Sequence, residues 1–285
     1  MIVALSGSTG FVGQALMKKM VELGWTVRNI NRGSFAMSDQ EFLEQYAEGA
    51  DVVINLAGAP VSKKWTPAYK NEIYESRINT TRKISESIFR AIKKPSVFIS
   101  TSAIGIYDSV HTHTESSQSF ANSFLASVCH NWELEALKSE NISRVVILRL
   151  GVVLCEDGGA LQKMHFPFSI GAGGKLGNGE QAVSFIHISD LVDSIIFTIE
   201  NTSVRGIVNA VAPVPSCNAE FTDKLGKVLG QPTWLTVPGF ALKMIYGEGA
   251  QVLLEGQKVL PEKLLQAGFT FKYPTIQNAL VQIYR

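Results

Sequence analysis

Short apolar runs alternate with longer amphipathic segments through the first two-thirds of the chain, and this alternation constrains the fold most. Five runs are predicted as buried strands, at 2–7, 26–32, 51–58, 96–102 and 144–150. Helical patterns lie between them, over 11–23, 39–48, roughly 70–93 and 123–139. Strands that are apolar throughout and separated by helices form parallel sheets covered on both faces. The sequence therefore predicts an α/β fold, a Rossmann-like doubly wound parallel sheet.

Three glycines lie between the first strand and the first helix. Gly7, Gly10 and Gly13 have the spacing G-x-x-G-x-x-G. The first glycine permits a tight turn, the second lets the backbone approach a pyrophosphate, and the third lets the helix pack closely on the strand. The amides that begin the 11–23 helix then face the phosphates. The placement predicts a dinucleotide-binding loop, and a turn without a ligand is the alternative.

The ends of the second and third strands indicate which dinucleotide is bound. The second strand ends in Asn31-Arg32. An acidic residue there would bond the ribose 2′-hydroxyl of NAD, whereas an arginine suits the 2′-phosphate of NADP. We therefore expect NADP(H), a surface arginine without a ligand being the alternative. Ala57 and Gly58, at the end of the third strand, would let the cofactor's ribose lie against the backbone.

The regular alternation ends after Gly151. A glycine-rich loop covers 171–180, a short strand and a helix follow over 184–199, and 206–212 predicts one more sheet strand. The rest is helical and rich in turns. We predict an NADP-binding Rossmann domain of residues 1–150 plus about 184–212. Residues 151–183 and 213–285 would form a smaller C-terminal α+β substrate lobe.

Composition excludes several classes of protein. The formal net charge of +1 argues against a nucleic-acid partner. No apolar stretch approaches the roughly 20 residues of a membrane helix, and the N-terminus lacks the pattern of a signal peptide. The three cysteines are widely separated, suit a reducing compartment and form no metal pattern. We therefore expect a cytoplasmic protein without a metal or a membrane. Its expected partner is a small-molecule substrate, with a homodimer left open.

Four longer segments carry a resemblance to a known family. They are WTPAYKNEIYESRINTTR (65–82), FLASVCHNWE (124–133), GNGEQAVSFIHISDL (177–191) and LLEGQKVLPEKLLQAGFTFKYPT (253–275). Together they resemble the epimerase family of the SDR39U1/YfcH type, an atypical branch of the extended short-chain dehydrogenases/reductases with its own C-terminal domain. The resemblance implies a set of cofactor-binding residues: Gly7, Thr9, Gly10, Phe11, Val12, Gly13, Asn31, Arg32, Leu56, Ala57, Glu72 and Arg77. For Arg77, a phosphate and a neighbouring carboxylate are equal alternatives. Asn79 resembles an asparagine that braces the active-site strand.

The catalytic residues of the wider group are incomplete in this chain. Hydride-transfer members use a Ser or Thr at the end of the fourth strand, with Tyr-x-x-x-Lys on the next helix. Ser102 occupies the serine position. Counting back from Glu133, the helix has Leu125 at the tyrosine position and Cys129 at the lysine position. Leucine has no proton to transfer, and a neutral thiol provides no positive charge.

No other residue is favoured as the acid or base. Candidates near the fourth strand are Tyr107, His111, His113, Glu115 and His130. For each of them the structural interpretation is preferred: Tyr107 packs beside the strand end, 111–115 is a solvated loop, and His130 is exposed. We expect Asp190 to cap the helix that follows His187.

Two functions follow from these residues. The first is an NADP(H)-binding oxidoreductase or epimerase-like enzyme with a non-standard acid/base and an unknown small-molecule substrate. The alternative is a non-catalytic protein that senses NADP(H).

Overall fold

The apolar runs form a central sheet in the computed structural model, which describes residues 1–284. The strands are β1 (Ile2–Ser6), β2 (Thr26–Ile30), β3 (Val52–Asn55), β4 (Val97–Ala103), β5 (Thr112–His113), β6 (Arg144–Leu150), β7 (Val152–Cys155), β8 (Gly174–Leu176), β9 (Ala182–Val183), β10 (Phe185–His187), β11 (Gly206–Ala210), β12 (Ser216–Cys217), β13 (Leu235–Val237) and β14 (Lys258–Val259).

Helices connect the strands of this sheet and form most of the C-terminal part. They are α1 (Phe11–Glu22), α2 (Asp39–Phe42), α3 (Pro67–Arg90), α4 (Phe124–Leu137), α5 (Gly159–Ser169), α6 (Ile188–Glu200), α7 (Asn218–Leu229), α8 (Gly239–Tyr246), α9 (Gln251–Leu254), α10 (Glu262–Gln266) and α11 (Ile276–Tyr284). Short 3₁₀ turns cover Gly33–Ala36, Ile104–Ile106 and Gly247–Ala250, and a π turn covers Leu43–Ala47.

The central sheet has six parallel strands in the order β11-β6-β4-β3-β1-β2. Side chains alternate between its two faces. Val3 and Leu5 of β1 pack in one cluster with residues of α1 and α6, whereas Ala4 packs in another with Ile84 of α3 and Ala136 of α4. Helices therefore cover both faces of the sheet, and the predicted doubly wound α/β fold is confirmed.

The predicted helix boundaries differ from the structure chiefly in the third helix and in the 39–48 segment. The third helix begins at Pro67 rather than near residue 70, because Thr66 caps it by accepting a hydrogen bond from the amide of Tyr69 at 3.1 Å. The predicted 39–48 helix is divided into α2 and the π turn that follows it. The spacing of apolar residues shows neither where a side chain caps a helix, as Thr66 does, nor where the helix changes its pitch, as at Leu43–Ala47.

The C-terminal segment is tied to the sheet by a buried carboxylate. Asp190 is fully buried and accepts hydrogen bonds from the amides of Lys272 and Tyr273, at 2.8 and 2.9 Å. The cap of α6 is the ring of His187, which accepts a hydrogen bond from the amide of Ser189 at 3.1 Å. Our expectation that Asp190 caps this helix is therefore wrong, since its carboxylate bonds backbone that lies 82 residues away.

Within residues 1–284, no helix combines the length and the apolar character needed to cross a membrane. The proposed division into 1–150 with 184–212, and 151–183 with 213–285, stays a prediction.

Candidate functional site

The glycine loop after β1 has two glycines that the fold itself requires. Gly7 has a φ of +75°, and a Cβ on it would lie 2.7 Å from the carbonyl carbon and oxygen of Leu56. A Cβ on Gly13 would lie 2.2 Å from the carbonyl oxygen of Gly7. A Cβ on Gly10 would meet that oxygen at an ordinary 3.4 Å. Packing within the protein therefore requires glycine at 7 and 13 but not at 10. At Gly10 the absence of a side chain leaves room for a ligand to approach the backbone.

The start of α1 offers backbone donors beside this loop. Its first hydrogen bond runs from the amide of Gln14 to the carbonyl of Gly10, at 2.9 Å. The amides of residues 11–13 therefore have no partner within the helix, as at any helix N-terminus. Thr9 and Gly10 are exposed. The ring of Phe11 would contact a Cβ placed on Gly158, at 2.5 Å, so this side chain packs against the turn before α5.

The end of β2 brings two predicted cofactor residues together. The side chain of Arg32 is 95% exposed, and its Nη2 lies 3.7 Å from Oε1 of Glu72 on α3. Asn31 is engaged locally, because its Oδ1 accepts a hydrogen bond from the amide of Ser34 at 3.1 Å. A cation this exposed is free to turn toward a phosphate at the sheet edge.

A cavity of about 490 Å³ begins at the carboxyl edge of the sheet. Predicted cofactor or catalytic residues that line it are Leu56, Ala57, Gly58, Arg77 and Ser102. The walls also include Leu125 and Cys129, so both positions inferred from Glu133 line the same cavity as Ser102. The glycine loop, Arg32 and Glu72 lie outside this cavity.

Arg77 lies on the wall of the cavity and, among residues 1–284, has no carboxylate partner. Its Nη1 and Nη2 donate to the carbonyl oxygens of Ile73 and Ala59, at 3.1 and 2.9 Å. The guanidinium carbon lies 5.2 Å from the centre of the Trp132 ring, and a Cβ on Gly58 would lie 2.9 Å from it. Burial lowers the pKa of Arg77. Of our two alternatives, the neighbouring carboxylate is not the one observed.

Ser102 is held by a buried ion pair. Its Oγ donates a hydrogen bond to Oε1 of Glu133 at 2.6 Å. Glu133 also accepts from Nε and Nη2 of Arg149, at 2.8 and 2.7 Å, and the two charged side chains are only 8% and 2% exposed. Burial opposes the charge of Arg149, but the hydrogen bonds and charge of Glu133 raise its pKa above the ordinary value. The hydroxyl hydrogen of Ser102 is thus directed at Glu133, which leaves the oxygen's lone pairs for a ligand.

Cys129 is a neutral thiol at ordinary pH. Burial and the nearby charge of Glu133 raise its pKa to about 11, against smaller opposing effects that include the charge of Arg77. Leu125 has no titratable group. The tyrosine position therefore supplies no proton, and the lysine position supplies no cation.

The 111–115 segment is only partly the solvated loop that we predicted, since the side chain of His111 is 63% exposed but His113 is not solvated. His113 is fully buried, stacks on Tyr107 at 4.6 Å between ring centres, and belongs to β5, which pairs with β14. Glu115 accepts a hydrogen bond from the amide of Asn209 at 3.0 Å. His113 is covered because the distant residues 258–259 pair with residues 112–113, a contact that local polarity cannot reveal.

The remaining candidates have structural positions. Tyr107 is buried as predicted, and its hydroxyl donates to Oδ1 of Asn209 at 3.0 Å. His130 is exposed, also as predicted. Asn79 is exposed, so the bracing role implied by the resemblance is wrong for it. Asn55 of β3 is a buried asparagine nearby, and its Nδ2 donates to Oγ1 of Thr81 on α3 at 2.8 Å. In the described part of the chain, no group of His, Cys, Asp and Glu is suited to hold a metal ion.

Sequence reasoning missed Glu133 and Arg149 as neighbours of Ser102. Glu133 lies four residues after Cys129, a spacing that puts both on one helix face. That spacing was a usable signal for Glu133. Arg149 is in register with Ser102 on the adjacent strand, a pairing that requires the strand order to be known.

Two family models match the chain. The family described as NAD dependent epimerase/dehydratase matches residues 3–210, and a domain of unknown function, DUF1731, matches residues 237–283. The chain belongs to the epimerase family. One relative is the chloroplastic epimerase family protein SDR39U1 homolog of Arabidopsis thaliana, which is 40% identical over 98% of this chain and 86% of the relative. An epimerase family protein of Staphylococcus haemolyticus is 38% identical over 96% of both chains.

A solved structure from this family was crystallised with a cofactor. The human epimerase family protein SDR39U1 with NADPH is 30% identical, with a TM-score of 0.92 over 100% of this chain and 99% of the human chain. The resemblance stated from the sequence is therefore confirmed, including its C-terminal domain.

Proposed function

We propose that this protein binds NADPH and acts as an oxidoreductase or epimerase-like enzyme on a small molecule held in the 490 Å³ cavity. The backbone of residues 7–13 would hold the pyrophosphate, and Arg32 would contact the 2′-phosphate. The NADPH in the human relative supports this assignment. When bound, the cofactor supplies or accepts a hydride.

The remaining predicted cofactor residues would extend the cofactor site from the glycine loop toward the cavity. Leu56, Ala57 and Gly58 would support the ribose at the entrance of the cavity, and Arg77 lies beside Gly58. Glu72 is close enough to Arg32 to orient it. These residues fit the cofactor. The amides of residues 11–13 have no partner within the helix, a Cβ-sized space is open at Gly10, and the guanidinium of Arg32 is exposed.

Ser102 and Glu133 would together replace the missing tyrosine. During oxidation of an alcohol, Oγ of Ser102 accepts the hydroxyl proton while its own hydrogen passes to Oε1 of Glu133. In the reverse direction both protons return, so that the new hydroxyl receives its hydrogen from Ser102. The observation that carries this proposal is the 2.6 Å bond between Ser102 and Glu133 at the wall of the cavity.

Cofactor binding is tested by titrating NADPH and NADH into wild-type protein and Arg32→Ala. Losing a charge-assisted hydrogen bond costs about 1.5–3 kcal/mol, so NADPH affinity should fall about 10- to 100-fold while NADH affinity stays the same. Equal affinities of the wild type for both cofactors would refute the assignment to Arg32.

Catalysis is tested by NADPH oxidation with a panel of carbonyl compounds, using Ser102→Ala as the matched variant. We expect turnover that the variant loses while NADPH still binds. If no compound is turned over by protein that binds NADPH tightly, the catalytic half of the proposal fails and an NADP(H)-sensing protein is left.

A further inference from the structure

The cavity continues from the proposed cofactor site into the C-terminal part of the chain, and its second half is almost without charge. Within the described residues, the charged side chains that line it are Arg77 and Glu255. Arg77 stands at the cofactor end, against Gly58. Among the described residues, the walls built by 151–183 and 213–257 therefore present one charged group to a substrate, the carboxylate of Glu255.

Three polar side chains of this second half form hydrogen bonds within the wall itself. Nε2 of Gln181 donates to the carbonyls of Leu176 and Leu253, at 3.1 and 3.0 Å. Asn218 accepts from the amide of Leu176 at 2.8 Å, and Ser184 donates to the carbonyl of Gln257 at 2.8 Å. These bonds hold three segments together, while Oε1 of Gln181 is buried without a hydrogen-bond partner among the described residues. An amide oxygen is a neutral acceptor, which suits a ligand hydroxyl and does not compensate the negative charge of a diphosphate.

Apolar side chains make up the surface that remains. Trp65, Leu125 and Val128 approach from the Rossmann side, and Met164, Leu176 and Phe221 from the other. The segment 251–257 closes the mouth, where Val252 is 41% exposed. This segment lies within the domain of unknown function, which thereby contributes a wall of the cavity.

We propose that the second half of the cavity binds an uncharged, mainly apolar alcohol or ketone, not a nucleoside diphosphate, and that segment 251–257 helps to select it. The inference rests on the proposed function in placing the cofactor at the end formed by Gly58 and Ser102. A diphosphate would bring two negative charges to walls whose charged group is the carboxylate of Glu255, so its desolvation would be uncompensated. An apolar ligand gains instead from the area that it buries.

The test measures binding to NADPH-loaded protein by calorimetric titration with 1-phenylethanol, 2-tetralol, 2-decanol and UDP-glucose. Cofactor and alcohol are both reduced, so no reaction disturbs the titration. We expect saturable binding of at least one alcohol, at least about tenfold tighter than UDP-glucose. Tighter binding of UDP-glucose, or no saturable binding of any of the three alcohols, would overturn the proposal.

Two variants locate the bound alcohol. Met164→Trp places a larger side chain in the cavity from α5. Val252→Trp narrows the mouth, and because Val252 is 41% exposed the larger side chain can be accommodated there. Each should weaken alcohol binding at least about tenfold without changing NADPH affinity. Met244→Trp is the matched control, because Met244 is 77% exposed on α8 and lies outside the cavity. Unchanged alcohol affinity in both cavity variants would place the ligand elsewhere and refute the proposal.

Failure of the proposed function gives a different pattern. If NADPH does not bind, the same titrations on cofactor-free protein still show whether the cavity prefers an apolar alcohol to UDP-glucose. The second half of the cavity is formed by protein residues alone, so this comparison does not depend on the cofactor. If NADPH binds and UDP-glucose is preferred, the proposed function stands and the inferred substrate class is wrong.

Discussion

Glu133→Gln removes the charge that compensates Arg149, in a place that solvent does not reach. The carboxylate accepts two hydrogen bonds from Arg149, at 2.8 and 2.7 Å, and one from Ser102 at 2.6 Å. Its side chain is 8% exposed and that of Arg149 is 2% exposed. Removing one partner of a buried ion pair costs about 3–5 kcal/mol, because the other charge stays buried without compensation.

This cost should be visible in thermal unfolding. For a chain of 285 residues, 1 kcal/mol corresponds to a shift in Tm of about 2 °C, so the variant should unfold about 6–10 °C below the wild type. Urea unfolding should show a lower midpoint. Circular dichroism follows both transitions.

Glu135→Gln is the control on the same helix. Glu135 pairs with Arg82 at 3.3 Å and Lys138 at 2.7 Å, whose side chains are 45% and 60% exposed, so its loss should cost at most about 1 kcal/mol. Adding Arg149→Met to Glu133→Gln should recover part of the stability, since the unpaired charge is gone. A Tm for Glu133→Gln equal to that of the wild type would refute the reasoning.

Three further predictions concern the glycine loop, a thiol and a histidine. Gly13→Ala should lose about 1–3 kcal/mol of stability because its Cβ meets a carbonyl oxygen at 2.2 Å, whereas Gly10→Ala should keep the wild-type Tm; equal Tm values would contradict this. At about pH 8, iodoacetamide should modify Cys155 and Cys217 before Cys129, whose buried thiol has its pKa raised to about 11; peptide mass spectrometry distinguishes the three. Burial lowers the pKa of His187, so its contribution to stability is present above the unfolded pKa of about 6.5 and is lost as the pH falls below it. His187→Asn should therefore reduce the fall in Tm between about pH 7.5 and 5.5. If Tm falls with pH as steeply as in the wild type, other groups cause the pH dependence.

The fold was predictable from the sequence because its signals are local. An apolar strand such as 144–150 is recognisable without knowing its neighbours, and alternation with helices limits the sheet to a parallel arrangement. The glycines at 7 and 13 were equally readable, since each answers a requirement of the turn in which it lies. Boundaries were less accurate wherever a single cap, such as Thr66, decides them.

The partners of the site residues could not be predicted in the same way. Ser102 was found by its place at the end of β4, but its bond to Glu133 depends on how α4 packs across the sheet. His113 was assigned to solvent because its neighbours are polar, and it is buried because residues 258–259 pair with it. The mouth of the cavity is built by 251–257, about 150 residues from Ser102 along the chain, so only the folded arrangement shows that they share a cavity.

The replacement of tyrosine and lysine changes which ligand Ser102 can receive. Leu125 and a neutral Cys129 line the same cavity, and Ser102 is oriented by Glu133, whose carboxylate is fixed in turn by Arg149. Because the serine hydrogen is given to Glu133, a ligand hydroxyl finds an acceptor at Ser102, whereas a ligand carbonyl finds no donor there until a proton moves back. The ion pair therefore favours an alcohol over a ketone as the resting ligand. For a carbonyl to be reduced, Ser102 must give its hydrogen to the ligand and take one back from Glu133. Glu133 would therefore be the proton donor in place of the tyrosine and lysine of the wider group.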